Sequence, residues 1–245
     1  NYFAQVMVNR IWADLMGRGL VVPVDDLRAT NPPSNGPLLE ALANDFRDKQ
    51  FNIKEVIRSI TGSYAYSLSS DPTDRNIADT QNYSRHYRQR LRAEVMLDAV
   101  ADITGIPNSF AAMPAGSRAK EIWTHRVGSL FLDTFGRPDP NQDPPCERQE
   151  DATVTQALHM MNATDLQQRV SSDKGRAAQL AASDKTPEQI VEELYLFVYA
   201  RLPDSDEREF GNKLFATATD PAGRKRTTED LLWALLNTPE FLFKD

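Results

Sequence analysis

Apolar side chains recur every three to four residues along most of this chain, the period of a helix with one face on a core. Phe3, Met7, Ile11 and Leu15 come first, with Ala4, Val8 and Trp12 beside them, and together they predict a wide inward stripe. Gly17 ends that helix. The segment from Gly19 to Gly36 then reads as a loop, because Pro23, Asp25, Asp26, Asn31, Pro32, Pro33 and Ser34 favour turns and caps. Pro37 suits the first turn of a second helix with Leu38, Leu39, Leu42 and Phe46 inward. Asn52 and Glu55 form a variant capping box for a third, through Ile53, Val56, Ile57 and Ile60.

From Thr61 to Tyr87 the periodicity fades into Ser, Asp, Asn and Pro, predicting a long surface excursion. It resumes near Leu91 with Val95, Met96, Ala99, Val100 and Ile103, and stops at Gly105 ahead of Pro107. Gly105 to Glu150 is the least regular stretch, broken by Pro107, Pro114, Pro138, Pro140, Pro144 and Pro145; Leu130-Phe131-Leu132 reads there as extended, a lone strand at most. Helical signals return at Thr153, with Val154, Ala157, Leu158 and Met161 expected inward. Thr186 and Pro187 open a helix through Ile190, Val191, Leu194, Phe197 and Val198. Asp204 or Ser205 caps another with Phe210 and Leu214 inward, and Thr227 or Thr228 a last one with Leu231, Leu232, Leu235 and Leu236.

These segments predict an all-α fold, an irregular bundle of about eight to ten helices with long proline-rich loops and at most a minimal strand. We read residues 1–245 as a single helical domain: an N-terminal helical half to about 105, an irregular wrap over 106–150 and a C-terminal helical bundle over 151–245.

Composition narrows the function classes. A hydrophobic share of 40% and a charged share of 26% suit a folded globular chain that needs no disulfide or metal staple. The formal charge of −7 opposes nucleic-acid binding, which depends on Lys and Arg displacing counterions. No apolar run is long enough to span a membrane. The chain starts at Asn1 with helical periodicity already running, so we expect an excised piece of a longer protein, with any signal peptide upstream. One cysteine excludes an internal disulfide, and His86, His125 and His159 share no ligand spacing. We therefore expect no haem, metal or flavin cofactor.

Several strings are more specific than periodicity. Val8-Asn9-Arg10-Ile11-Trp12, Gly17-Arg18-Gly19-Leu20-Val21 and Asp25-Asp26-Leu27-Arg28-Ala29-Thr30-Asn31-Pro32-Pro33-Ser34 stand early in the chain. Cys146-Glu147-Arg148, Thr155-Gln156-Ala157-Leu158 with Met161-Asn162, Arg201-Leu202-Pro203 and Leu235-Leu236-Asn237-Thr238-Pro239-Glu240-Phe241-Leu242 follow in order. Together they resemble a planctomycete domain of unknown function found C-terminally in large exported proteins. The resemblance implies an extracytoplasmic setting downstream of a cytochrome-c-like module, and no activity. Where relatives often read Pro-Ser-His-Pro, this chain has Ser34-Asn35-Gly36-Pro37, so no role of that histidine carries over.

Four groups could carry chemistry. Asp25 and Asp26, beside Arg28 and Asn31, are either paired carboxylates for acid/base work or sugar binding, or turn formers. Arg75, Arg85, Arg88, Arg90 and Arg92, with Tyr83, His86 and Tyr87, form either a site for sulfate, carboxylate or sugar, or a solvated helix entrance with Arg90 and Glu94 paired. Cys146, flanked by Glu147 and Arg148, is either an activated thiol or a packed one. His159 reads as a packed, hydrogen-bonded core histidine. No nucleophile elbow or phosphate loop occurs.

The leading expectation is a noncatalytic interaction module docking against neighbouring domains of its parent protein, in a redox or polysaccharide-handling complex. The rivals are a carbohydrate-active enzyme or half-site using the Asp25 loop or the carboxylates around Asp133, and a cofactor-free docking partner for a cytochrome. In each case, binding is expected through the loops Gly19 to Ser34 and Asp133 to Arg148 brought onto one face, using Asp25, Asp26, Arg28, Asn31, Asp133, Arg137, Cys146, Glu147 and Arg148.

Overall fold

The computed structural model describes residues 2–111, 113–124, 126–138, 148 and 153–244. Among these the fold is all-α, with twelve α-helices, one 3-10 turn and a single two-stranded ladder. The count exceeds the eight to ten expected because several elements, such as the four-residue Pro239–Leu242, are too short to show a period. Contacts divide the chain after Gln89 into two compact units.

The first unit holds α1 (Tyr2–Met16), α2 (Gly36–Asp48) and α3 (Ile53–Thr61). Helix α1 packs on both others. Its buried face is Ala4, Val8, Trp12 and Met16, which meet Leu39, Ala43, Phe46, Val56 and Ile60. That face is rotated by one residue, roughly 100°, from the expected stripe. Met7, Ile11 and Leu15 flank the core, and Phe3 is exposed. The rotation accommodates Asn9, fully buried, whose amide accepts from Val21 N at 3.0 Å and donates to Val21 O at 3.0 Å and Val24 O at 2.7 Å. A buried amide is tolerated because each of its groups is paired.

The expected surface excursion after Thr61 also does structural work. The last carbonyls of a helix lack intrahelical partners. Here Gln89 Nε2 reaches Ala13 O at 3.0 Å, His86 Nε2 lies 3.2 Å from Leu15 O, and just past the helix Tyr83 Oη donates to Arg18 O at 2.9 Å. His86 and Ser70 are consequently buried. Gly17 sits at φ +84°, and a Cβ there would lie 2.9 Å from Tyr87, so the turn off α1 demands glycine.

The second unit centres on α4 (Ala93–Thr104), which buries Met96, Leu97, Val100 and Ile103. It packs on the 3-10 turn Ala119–Glu121, α5 (Leu130–Thr134), α7 (Thr164–Val170) and α8 (Arg176–Ala181). These partners explain why α4 groups with the later chain rather than with an N-terminal half ending at Gly105. Leu130-Phe131-Leu132 is helical, not extended, since Ser129 caps Leu132 N, and Phe131, Leu132 and Phe135 are core residues. The middle of the chain therefore supplies core as well as surface.

Helix α6 (Val154–Asn162) turns the opposite face inward from the one expected. Gln156 and Met160 are buried, while Val154, Leu158 and Met161 are exposed. Gln156 serves two roles, accepting from Thr153 N in the capping box and donating to Thr134 O at 3.1 Å. His159 packs edge-on against Phe131 and Phe135, but its buried Nε2 has no hydrogen-bond partner among the described residues.

Helices α9 (Pro187–Tyr199), α10 (Ser205–Ala216), α11 (Pro221–Leu236) and α12 (Pro239–Leu242) complete the unit. Thr186 and Asp204 cap as expected. Helix α11 instead starts from an Asp220 cap with Pro221, so Thr228 lies inside it, buried, with its hydroxyl on Arg224 O at 2.8 Å. Arg201 grips Glu207 and Glu240 with paired bonds of 2.7–2.8 Å, which raises its pKa and ties the start of α10 to α12. The ladder joins β1 (Gln89–Arg90) to β2 (Phe243–Lys244).

Candidate functional site

The Gly19 to Ser34 loop of the first unit is knitted to itself and to α1. Arg10 holds Asp25 with two bonds of 2.7 Å, and Arg28 holds Asp26 with two of 2.6 Å. Asn31 Nδ2 donates to Asp26 O and Val22 O, and Ser34 Oγ to Leu20 O. Hydrogen bonding from Arg10 and Arg28 keeps both carboxyls below the usual range. Acid/base work by a carboxylate pair needs the two pushed apart, and here both move the same way. Asp25, Asp26, Arg28 and Asn31 are thus each engaged in contacts within the loop or to α1.

In the second unit, Arg137 is nearly buried; its Nε and Nη2 bond Asp133 and its Nη1 donates to Val127 O at 2.5 Å. Arg148 Nη1 donates to both oxygens of Glu94, at 3.0 and 2.8 Å. Burial is the largest single influence on the Glu94 carboxyl and pushes it up, but the Arg148 hydrogen bonds, a backbone hydrogen bond and the charges of Arg148 and Arg92 together outweigh it and leave the group below its ordinary value. Cys146 and Glu147 lie outside the described residues.

Glu94, Arg137 and Arg148 border a cleft of about 440 Å³. The start of α4 contributes Arg92, Glu94 and Val95; the 3-10 turn and the segment after it contribute Lys120, Ile122, Trp123 and Thr124. Leu132 forms apolar floor, and Arg137, Pro138 and Arg148 close the far side. Among the described residues, four cations and one carboxylate line it. Lys120 Nζ has no ion-pair partner among the described residues, and Trp123 is 79% exposed.

Asp98 sets the ledge that carries Lys120 and Trp123. Its side chain is 5% exposed. It accepts from Ala119 N at 2.6 Å, Lys120 N at 3.2 Å and Asn108 Nδ2 at 2.9 Å, and pairs with Arg118 Nε at 3.4 Å. Arg118 is fixed in turn by Asp102 at 3.1 and 2.7 Å. A buried carboxylate on the free N–H groups of a turn holds that turn in one place.

Of the residues singled out in the sequence, Arg137 and Arg148 line this cleft and Asp133 pairs with Arg137, whereas Lys120, Trp123 and Asp98 were not singled out. Glu94 pairs with Arg148, not Arg90, whose guanidinium donates instead to Phe135 O at 3.0 Å. The available signal was Trp123 itself, a large ring inside a polar, aperiodic segment where no core helix could use it.

Among the described residues, no group of three His, Cys, Asp or Glu side chains could hold a metal ion. No helix there is long and apolar enough to cross a membrane. The family model described as PSD1, protein of unknown function (DUF1553), matches residues 1–215. The chain belongs to that family. Neither a curated protein nor a solved structure matches it. The PSD1 match takes in the first-unit loop, every cleft residue and Arg201, whereas the string Leu235 to Leu242 lies beyond its end. Membership brings no activity with it, so the chemistry of the cleft rests on its geometry.

Proposed function

We propose that this chain is a noncatalytic interaction module that engages an anionic partner through the cleft of its second unit. One observation carries the reading: Glu94 and Asp133 are each tied to an arginine, while Lys120 and Trp123 stand available. A general acid is a carboxyl held protonated near neutral pH, and Glu94 is shifted the other way. The setting implied by the resemblance, a longer exported planctomycete protein with a cytochrome-c-like module, makes neighbouring domains and extracytoplasmic polysaccharide the partners to consider.

The test uses the indole N–H signals of Trp12, Trp123 and Trp233, with Trp123→Phe assigning its own. The chain is titrated at low salt with an oligouronate, a sulfated oligosaccharide and polyglutamate. Trp123 is expected to respond selectively to at least one probe, with turnover of none. A silent Trp123 toward all three, or turnover that Glu94→Gln abolishes, overturns the reading.

A further inference from the structure

Building on the reading of the cleft as an anion-binding site, we infer that its ligand is an acidic saccharide, a pyranose chain bearing carboxylate or sulfate. Shape argues first. Protein partners are met on broad surfaces, typically about 800 Å² per side, whereas small ligands enter concave sites of roughly 300–1,000 Å³. The cleft, at about 440 Å³, is of the second kind.

The arrangement of groups argues second. Arg148 spends only Nη1 on Glu94, and among the described residues its Nε and Nη2 have no partner and can meet an anion. Guanidinium matches the two-oxygen edge of a carboxylate or sulfate, and the Lys120 ammonium adds a charge with no ion-pair partner among the described residues. Glu94 is ionised and retains acceptor capacity beyond the two Arg148 bonds, so it can accept from sugar hydroxyls. Thr124 adds a hydroxyl that both donates and accepts.

Trp123 argues third. An indole that is 79% exposed at the edge of a polar cleft buries nothing for the fold. Its electron-rich face suits the polarised C–H groups on the flat side of a pyranose ring, and Val95, 48% exposed, adds apolar surface to the same cleft. Cation, hydroxyl partner and aromatic platform thus line one cleft, the three contacts an acidic sugar requires.

The experiment is a calorimetric titration of the chain with trigalacturonate, a sulfated trisaccharide, a neutral trisaccharide of the same size and hexaglutamate. One of the two acidic sugars is expected to bind at least about tenfold tighter than both the neutral sugar and hexaglutamate, and which one responds identifies the anion as carboxylate or sulfate. Lys120→Met and Trp123→Ala, both at exposed positions, should each weaken that binding about tenfold or more, the scale of losing one charge-assisted contact. Lys213→Met, remote from the cleft and paired with Glu209, should leave it unchanged. Equal or tighter binding of hexaglutamate overturns the saccharide assignment while leaving the interaction module standing. Equal binding of the neutral sugar overturns it by removing the role of charge. No binding of any of the four overturns both readings.

Discussion

Replacing Asp98 tests how the cleft is built. Its carboxylate, almost fully enclosed, accepts from two backbone N–H groups and the Asn108 amide, and lies 3.4 Å from Arg118 Nε. Asp98→Ala strands the two backbone N–H groups and the Asn108 amide, while Arg118 keeps Asp102; at about 1 kcal/mol or more for each unsatisfied buried donor, a loss of about 3–5 kcal/mol is expected. For a unit of this size each kcal/mol moves the melting temperature by about 2–4 °C, so the transition of the second unit should fall by roughly 6–20 °C. Asp98→Asn should cost less, about half as much, because an amide oxygen can still accept from Ala119 N. The Asn108 amide can turn its unpartnered Oδ1 toward the new NH₂ group. Asp102→Ala is the control; that carboxylate is 61% exposed, and exposed pairs contribute about 1 kcal/mol or less. Calorimetry on the three variants, checked by urea unfolding, gives the values. A loss below about 1 kcal/mol for Asp98→Ala would refute the ledge argument.

Further outcomes follow from the same contacts. Arg201→Met should destabilise by about 2 kcal/mol, less than a buried pair because the guanidinium is 38% exposed, and Glu207→Gln should add little to it; full additivity in a double-mutant cycle would contradict a shared network. Glu94 and Glu207 are lowered from 4.5, so their contribution is complete above that pH and lost as pH falls through their folded values; melting temperature should decline below about pH 4.5, and Arg148→Met should flatten part of that decline. Burial lowers His159 from 6.5 and keeps it neutral, so stability is full above that pH and falls as pH drops below it; His159→Phe should remove this upper limb alone in a pH series of melts. Leu158→Ser, on the exposed face of α6, should change stability by no more than about 0.5 kcal/mol, and a loss above 2 would mean that this face is covered.

The helices were legible where apolar spacing and cap chemistry agree. Thr186-Pro187 before Ile190 and Asp204 before Glu207 name their own starts, because the capping side chain and the residue it serves are close in sequence. Faces were less legible. In α1 a buried Asn9 turns the stripe by a residue, and in α6 Gln156 goes inward in place of Val154, since both amides find partners on distant backbone that no local pattern announces. The Thr227 start for α11 was misplaced because polar residues from Pro221 to Thr228 hide a helix already begun at the Asp220 cap.

The site followed the same division. Asp25 and Asp26 stood out as adjacent carboxylates, yet their role is decided by Arg10 and Arg28 beside them in space. Arg148 was visible as part of a string, but its partner Glu94 lies 54 residues away. Asp98 was hidden inside an apolar helical stretch, and its importance comes from the turn that folds onto it.

The central claim, that binding belongs to the second-unit cleft and not to the Asp25 loop, is tested most directly by comparing two variants in one titration series. The acidic trisaccharide that binds the unmodified chain is titrated into Trp123→Ala and into Arg28→Ala. We predict about a tenfold or greater loss for Trp123→Ala and unchanged affinity for Arg28→Ala, whose exposed pair with Asp26 only ties its own loop. The reverse pattern, with binding lost in Arg28→Ala and kept in Trp123→Ala, would contradict the account.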